Sequence, residues 1–310
     1  MKKIYNSVTE MVGHTPLLRL HKLEKNYRLK ARLLAKCEFY NPLFSVKDRI
    51  ALSMLDKAEK SGKINANTVF VEATSGNTGI ALAALCAAKG YKLVIVMPEN
   101  MSQERIKLIR HFGAEVILTP AEDGMKGSIA KADILAEKSP DVILLRQFEN
   151  EANPDAHRLG TSMEIMEDTG GEVDCLVSAV GTSGTLTGIA SALKTCNPDL
   201  YVVAVEPAES PALIKFSASV PVLSPNFTVP HWLMKWLTSR PKKPSIWPRP
   251  LPAPKVCRSA CLPAPHWPPQ SKSGRNRKWP EKIWSSFWLL PSKDICHSVT
   301  LIRKIHVFIW

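Results

Sequence analysis

A lysine followed 27 residues later by a run of small polar residues carries the most chemical content in this sequence. Lys47 lies in Asn41-Pro42-Leu43-Phe44-Ser45-Val46-Lys47-Asp48-Arg49, and the polar run is Thr74-Ser75-Gly76-Asn77-Thr78-Gly79. A lysine is a useful nucleophile only when part of its population is neutral, which burial or the positive end of a helix favours. The Thr74–Gly79 run offers hydroxyls, glycines and helix-start amides, donors suited to a carboxylate or phosphate. An amine beside such a site could carry an aldehyde cofactor and a carboxylate substrate together. Two blander readings compete. Lys47 could pair on the surface with Asp48 or a later acid, and Ser75 or Asn77 could simply cap a helix.

A third element, Gly181-Thr182-Ser183-Gly184-Thr185, repeats the small-residue turn. It has the size to cradle one phosphate. It lacks the lysine and spacing of a Walker A loop, and no Gly-x-Gly-x-x-Gly pattern is present, so a singly phosphorylated cofactor fits better than a nucleotide. An ordinary tight turn is the alternative.

The elements around these turns alternate. Buried-strand patterns occur at Arg32–Cys37, Thr68–Glu72, Lys92–Met97, Glu115–Thr119, Asp141–Leu145, Asp174–Ala179 and Tyr201–Glu206. Helical spacing occurs at Val46–Ser61, Asn77–Lys89, Ser102–Phe112, Gly124–Ser139, Ala156–Asp168 and Leu186–Thr195. This alternation predicts an α/β fold of mostly parallel sheets flanked by helices. Ligands in such folds bind beyond the carboxyl ends of strands, where both small-residue turns fall.

Composition divides the chain. Residues 1–210 hold 25 Lys+Arg against 26 Asp+Glu, whereas residues 211–310 hold 16 against 2. All 8 Trp and 16 of the 24 Pro lie after position 210, and 14 of the 15 Gly lie before it. The basic pI therefore belongs to the tail and is poor evidence for nucleic-acid binding by the rest. Met1-Lys2-Lys3-Ile4-Tyr5-Asn6 precedes no apolar run, so no secretory signal is expected. No spanning helix is expected either. Seven scattered cysteines without a Cys-x-x-Cys pair fit reduced thiols and a cytoplasmic location. Cys86 and Cys175 read as small core residues rather than nucleophiles.

Taken together, these motifs resemble the cysteine synthase (O-acetylserine sulfhydrylase) family of fold-type II pyridoxal-phosphate enzymes. The resemblance runs through Gly13-His14-Thr15-Pro16-Leu17, Asn41–Arg49, Thr74–Gly79, Gln147-Phe148, Asn153-Pro154, His157–Ile165, Gly181–Thr185 and Glu206–Pro211. It implies a tryptophan synthase β-like architecture. Residues 1–40 and 151–211 would form the larger, phosphate-binding domain, and 41–150 the smaller, carboxylate-binding one. It also implies that Lys47 holds pyridoxal 5′-phosphate as a Schiff base and shuttles the substrate α-proton. Asn77 would bond the ring hydroxyl, and Gly181, Thr182, Ser183, Gly184 and Thr185 the phosphate. Thr74, Ser75, Gly76, Thr78 and Gln147 would hold the substrate carboxylate. The implied reaction is β-replacement, in which O-acetylserine loses acetate and takes up sulfide to give L-cysteine. Cystathionine β-synthase-like and O-phosphoserine sulfhydrylase activities are the alternatives within the class. A homodimer and association with serine acetyltransferase are implied partners.

Three departures from the family pattern stand out. His14 replaces a usual Asn, Ser183 replaces a frequent Gly, and residues 212–310 lack the Gly-rich continuation. With that continuation goes the serine implied to face the pyridine nitrogen. A reading-frame shift near residues 211–216 would explain a tail rich in Trp and poor in Gly, and the gene's nucleotide sequence tests it. Such a tail predicts an irregular segment, exposed strand edges, an aggregation-prone chain and impaired turnover. A catalytically dead protein whose basic tail binds nucleic acid or anionic surfaces is the alternative from another class. Cys257, Cys261, His266, Cys296 and His297 match no zinc spacing, so no metal site is expected.

Overall fold

The computed structural model describes residues 4–205 and 305–309. The readings for the Glu206–Pro211 motif, the Pro-rich 241–269 stretch and the Cys/His set of the tail lie outside the described residues.

Two parallel sheets organise the chain. The smaller has the order β5-β4-β3-β6, built from Val69–Ala73 (β3), Lys92–Pro98 (β4), Glu115–Thr119 (β5) and Val142–Leu144 (β6). All its pairings are parallel. Helices α3 (Asn77–Lys89), α4 (Gln103–His111) and α5 (Gly124–Lys138) provide the crossovers, and α2 (Lys47–Lys60) leads into β3. Apolar residues of β3 and β4 on one face, Phe70, Leu93, Ile95 and Met97, pack with Ile50, Met54 and Leu55 of α2 and Leu82 and Leu85 of α3. The opposite face, with Val71 and Val96, packs against Ala132 of α5. Both faces are covered, as near-continuous apolar strands demand.

The larger sheet has the order β1-β2-β9-β7-β8: Leu17–Arg19 (β1), Arg32–Lys36 (β2), Cys175–Ala179 (β7), Tyr201–Val205 (β8) and Ile305–Ile309 (β9). Only β1 runs antiparallel to its neighbour. β9 comes from the 212–310 segment that the sequence predicts to be irregular. It pairs with β2 on one side and β7 on the other, and buries Val307 and Ile309 among Leu34, Leu176, Ile189 and Leu193. Tyr201–Val205 (β8) is the terminal strand of this sheet and pairs with β7 alone among the described residues. The signal for β9 is faint in the sequence: five residues with no framing turn chemistry.

Helix α1 (His21–Asn26) follows β1, and α8 (Gly184–Cys196) follows β7. The helix expected over Ala156–Asp168 is longer and composite. It opens as α6 (Ala152–Ala156), widens into a π-helical turn over His157–Thr161, and closes as α7 (Ser162–Thr169). Pro154 sits in its first turn, where the missing N–H has no intrahelical acceptor to lose, so the helix starts before the proline rather than after it. Cys86 and Cys175 are buried, and desolvation pushes both thiols up to about 12. No helix among the described residues is long and apolar enough to cross a membrane.

Candidate active site

Lys47 is the first residue of α2, and the loop before it is fixed by the residue after it. Asp48 accepts hydrogen bonds from the Leu43 N–H at 2.6 Å and the Ser45 hydroxyl at 3.2 Å. Its fully buried carboxyl is pushed up to about 6 by desolvation. Asp48 therefore faces its own loop and does not pair with Lys47. The Lys47 amine has no hydrogen-bonding or ionic partner among the described residues, and desolvation lowers its pKa. The residue is nonetheless half-buried, not sealed.

Arg49 anchors the same end of α2. Its guanidinium bonds Glu38 at 2.7 and 2.9 Å and Glu164 of α7 at 2.6 and 2.8 Å, and Lys36 Nζ meets Glu164 at 2.7 Å. Burial alone would raise the Glu164 carboxyl, but Arg49 and Lys36 hold it down at about 2. This ion cluster ties β2 and α7 of the larger sheet's layer to the helix that presents Lys47.

The two small-residue turns leave the carboxyl ends of β3 and β7, as expected. No side chain caps α3, whose N-cap is Gly76, or α8, whose N-cap is Ser183. Ser183 instead donates its hydroxyl to the Thr182 carbonyl at 2.6 Å. Both helices thus keep first-turn amides without an intrahelical acceptor, although the first of α8, Gly184 N–H, donates to Thr182 Oγ1 at 3.4 Å. The capped-helix reading fails for Thr74–Gly79.

A buried hydrogen-bond chain joins the turns. Thr78 Oγ1 donates to Gln147 Oε1 at 2.7 Å, and Gln147 Nε2 reaches the Ala73 carbonyl at 3.4 Å. Asn153 Nδ2 then donates to the Gln147 carbonyl at 2.8 Å and to Thr182 Oγ1 at 3.0 Å. The turns can approach this closely because Gly184 has no side chain: a Cβ there would stand 2.0 Å from Asn153 Oδ1. His157, fully buried in the π-helical turn, meets Thr185 Oγ1 at 3.1 Å. Desolvation lowers its pKa well below the usual range, with the nearby charges of Arg49 and Lys47 pushing the same way.

Thr74 is buried and its hydroxyl accepts from the Gly76 N–H at 3.3 Å, while Ser75 and Gly76 are half-buried. Arg105 of α4 donates to the Ser75 carbonyl at 3.3 Å. Asn77 is exposed and makes no side-chain hydrogen bond to other described residues. Gly181 borders open space, with nothing within 4 Å of where a Cβ would be. Two buried side-chain oxygens, Glu72 Oε2 and Asn153 Oδ1, have no partner among the described residues. Burial pushes the Glu72 carboxyl up to about 8, against the hydrogen bond it accepts from the Gln147 N–H at 3.3 Å.

Strain gathers here. Among the described residues the non-glycine positions with positive φ are His14, Arg28, Phe44, Arg146 and Ser183. Phe44, Arg146 and Ser183 lie within three residues of Lys47, Gln147 and Thr182. Left-handed backbone at bulky residues persists only where surrounding structure imposes it, and it concentrates at functional sites. His14 (φ 48°) and Ser183 (φ 64°), two of the three departures from the family pattern, occupy positions where Asn and Gly are the least strained residues.

Glu72, Asn153, His157 and Thr161 had no assigned role in the sequence reading. Asn153 and His157 stood within motifs that carry the resemblance, which was the available signal. Glu72 looked like an ordinary strand residue.

Comparison with known proteins agrees with this geometry. Residues 8–240 match the family model described as pyridoxal-phosphate dependent enzyme. A probable cysteine synthase of Bacillus subtilis is 48% identical over 216 residues, 69% of each chain. The crystal structure of O-acetyl serine sulfhydrylase isoform 3 from Entamoeba histolytica superposes with a TM-score of 0.64 at 43% identity, covering 68% of this chain and 64% of that one. A hydrogen sulfide-producing enzyme from Fusobacterium nucleatum has a TM-score of 0.64 at 44% identity, covering 69% of each chain. The chain spans about two thirds of the length of these relatives.

Proposed function

Because the chain belongs to the pyridoxal-phosphate dependent enzyme family, we propose that it performs β-replacement, forming L-cysteine from O-acetylserine and sulfide. The observations that support this reading are the unpartnered, desolvated amine of Lys47 at the start of α2 and the two helix starts without N-cap side chains, which one buried hydrogen-bond chain joins.

The residues present fit pyridoxal 5′-phosphate. Lys47 would hold its aldehyde carbon, the amides and hydroxyls of Gly181–Thr185 its phosphate, and Asn77 its ring hydroxyl. The orphaned Asn153 oxygen and the absence of a cap on α8 mark a junction shaped for a polar guest. When bound, the cofactor supplies an electron-withdrawing ring that makes the substrate α-proton removable.

The rest is positioning. Thr74 and Ser75 would present hydroxyls, and Thr78 a helix-start amide, to a carboxylate beside Gly76, while Gln147 takes the Thr78 hydroxyl hydrogen and is itself held by Asn153. Desolvation lowers the Lys47 pKa and so favours the neutral amine, whose Nζ would accept the substrate α-proton. The ion cluster at Arg49 holds that amine's helix still against the larger sheet. His157, whose buried ring has a lowered pKa, reaches Thr185 of the Gly181–Thr185 cradle.

Turnover is proposed to be weak. Supporting this is the sequence after residue 211, which lacks a counterpart for the serine implied to face the pyridine nitrogen. The purified chain, supplied with pyridoxal 5′-phosphate, O-acetylserine and sulfide, should form cysteine slowly. That formation should vanish in Lys47→Ala. Product formed at the same rate by Lys47→Ala, or product from serine or O-phosphoserine but not from O-acetylserine, would overturn the reading.

A further inference from the structure

The hydrogen-bonding of His157 fixes which of its nitrogens carries the proton, and from that follows a role for the ring. Thr161 is fully buried, and its hydroxyl has one partner among the described residues, His157 Nδ1 at 2.9 Å. A buried hydroxyl must spend its hydrogen on an acceptor. Nδ1 is the acceptor in reach, so Thr161 donates and Nδ1 is bare. A neutral imidazole with a bare Nδ1 carries its hydrogen on Nε2. That N–H points at Thr185 Oγ1, 3.1 Å away. Thr185 therefore receives a hydrogen from His157 and must direct its own elsewhere. Its side chain has no other partner among the described residues, and it stands half-buried at the second position of α8, beside the uncapped amides.

We propose that His157 is a positioning residue that orients the Thr185 hydroxyl as a hydrogen donor into the Gly181–Thr185 anion cradle. This rests on the proposed cofactor reading only for the identity of the anion.

The fold supplies the means. The π-helical turn sets His157 and Thr161 four residues apart with both side chains inward, and such turns recur at functional sites. α8 is drawn against this turn by Gly188, where a Cβ would stand 2.3 Å from the Pro154 carbonyl oxygen and 2.8 Å from His157 Cβ. Burial and the charges of Arg49 and Lys47 keep the ring neutral, while Glu164 opposes them weakly. Neutrality preserves the one-way order Thr161 to His157 to Thr185.

Two measurements test this. Selective ¹⁵N-histidine NMR of the unliganded wild-type chain, with the His157 signals assigned by their loss in His157→Gln, should show Nε2 protonated and Nδ1 bare. The opposite tautomer, or a doubly protonated ring at neutral pH, overturns the proposal without reference to any cofactor. The second measurement compares affinity for pyridoxal 5′-phosphate with affinity for pyridoxal, which lacks the phosphate. Thr161→Val and His157→Phe should each weaken the phosphorylated ligand by about tenfold, the scale of one charge-assisted hydrogen bond, while leaving pyridoxal unchanged. His157→Gln, which retains an N–H donor near the Nε2 position, should recover part of the loss. Equal weakening of both ligands indicates a merely structural ring and overturns the proposal, as does no weakening of either. Failure of the wild-type chain to bind pyridoxal 5′-phosphate more tightly than pyridoxal would instead defeat the cofactor reading itself.

Discussion

Val307→Ala tests whether the larger sheet is built around a strand from the far end of the chain. Val307 is fully buried in β9, paired in register with Leu34 of β2 and Leu176 of β7. The substitution removes two methyl groups, a loss of ~1.6 kcal/mol in transfer free energy. The cavity left between Ile189, Leu193 and the two flanking strands adds roughly 1 kcal/mol, because close-packed neighbours collapse only in part. The sum of about 2.5 kcal/mol should lower the urea midpoint by about 1 M, taking an m-value of roughly 2.5 kcal/mol/M for a chain of this size. Urea unfolding followed by far-UV circular dichroism gives the midpoint directly. A shift below about 0.2 M, the scale of an exposed substitution, would show that Val307 packs against nothing and refute the placement of β9. Deleting residues 305–310 should do more. It would strip β2 and β7 of their shared partner, leave two open edges, and promote aggregation.

Other outcomes follow from the site. His14→Asn should raise stability by about 0.5 kcal/mol, because Asn tolerates the left-handed backbone of this exposed position and the main-chain hydrogen bond to Glu164 is retained; urea unfolding checks it. Glu72 is held with a raised pKa of about 8, so its contribution is fully present below pH 4.5 and is lost as pH rises through 8. Glu72→Gln should therefore flatten the decline in thermal stability between pH 4.5 and 8, and an unchanged decline would contradict the assignment. Glu164 behaves oppositely. Its stabilisation is present above pH 4.5 and disappears as pH falls toward about 2, so Glu164→Gln should lose its destabilising effect at pH 2 in acid-unfolding curves.

Much of this architecture could be read from residue patterns. The strands at Lys92–Pro98 and Glu115–Thr119 and the helix Asn77–Lys89 fall where apolar runs and small-residue turns put them, because both faces of the sheet are buried and the runs are uninterrupted. Lys47 could be singled out because a helix-start lysine in that nonapeptide is chemically unusual. The helix opening at Ala152 was hidden by Pro154, whose tolerance in a first turn depends on a boundary that periodicity does not mark. β9 was hidden for a different reason. Five apolar residues acquire meaning only from the gap between β2 and β7, which is a property of tertiary packing. The wiring of the site was invisible too. Nothing in spacing alone says that Asn153 bridges Gln147 to Thr182, or that Asp48 turns away from Lys47 to hold its own loop.

The placement of Lys47 is most directly tested by asking which lysine takes the cofactor. The chain is incubated with pyridoxal 5′-phosphate, treated with borohydride to make any attachment permanent, digested, and analysed by mass spectrometry. The account predicts the cofactor's added mass on the peptide containing Lys47 and its absence from that peptide in a chain whose Lys47 is replaced by alanine. Modification of a different lysine in preference to Lys47, or an even spread over surface lysines, would contradict it.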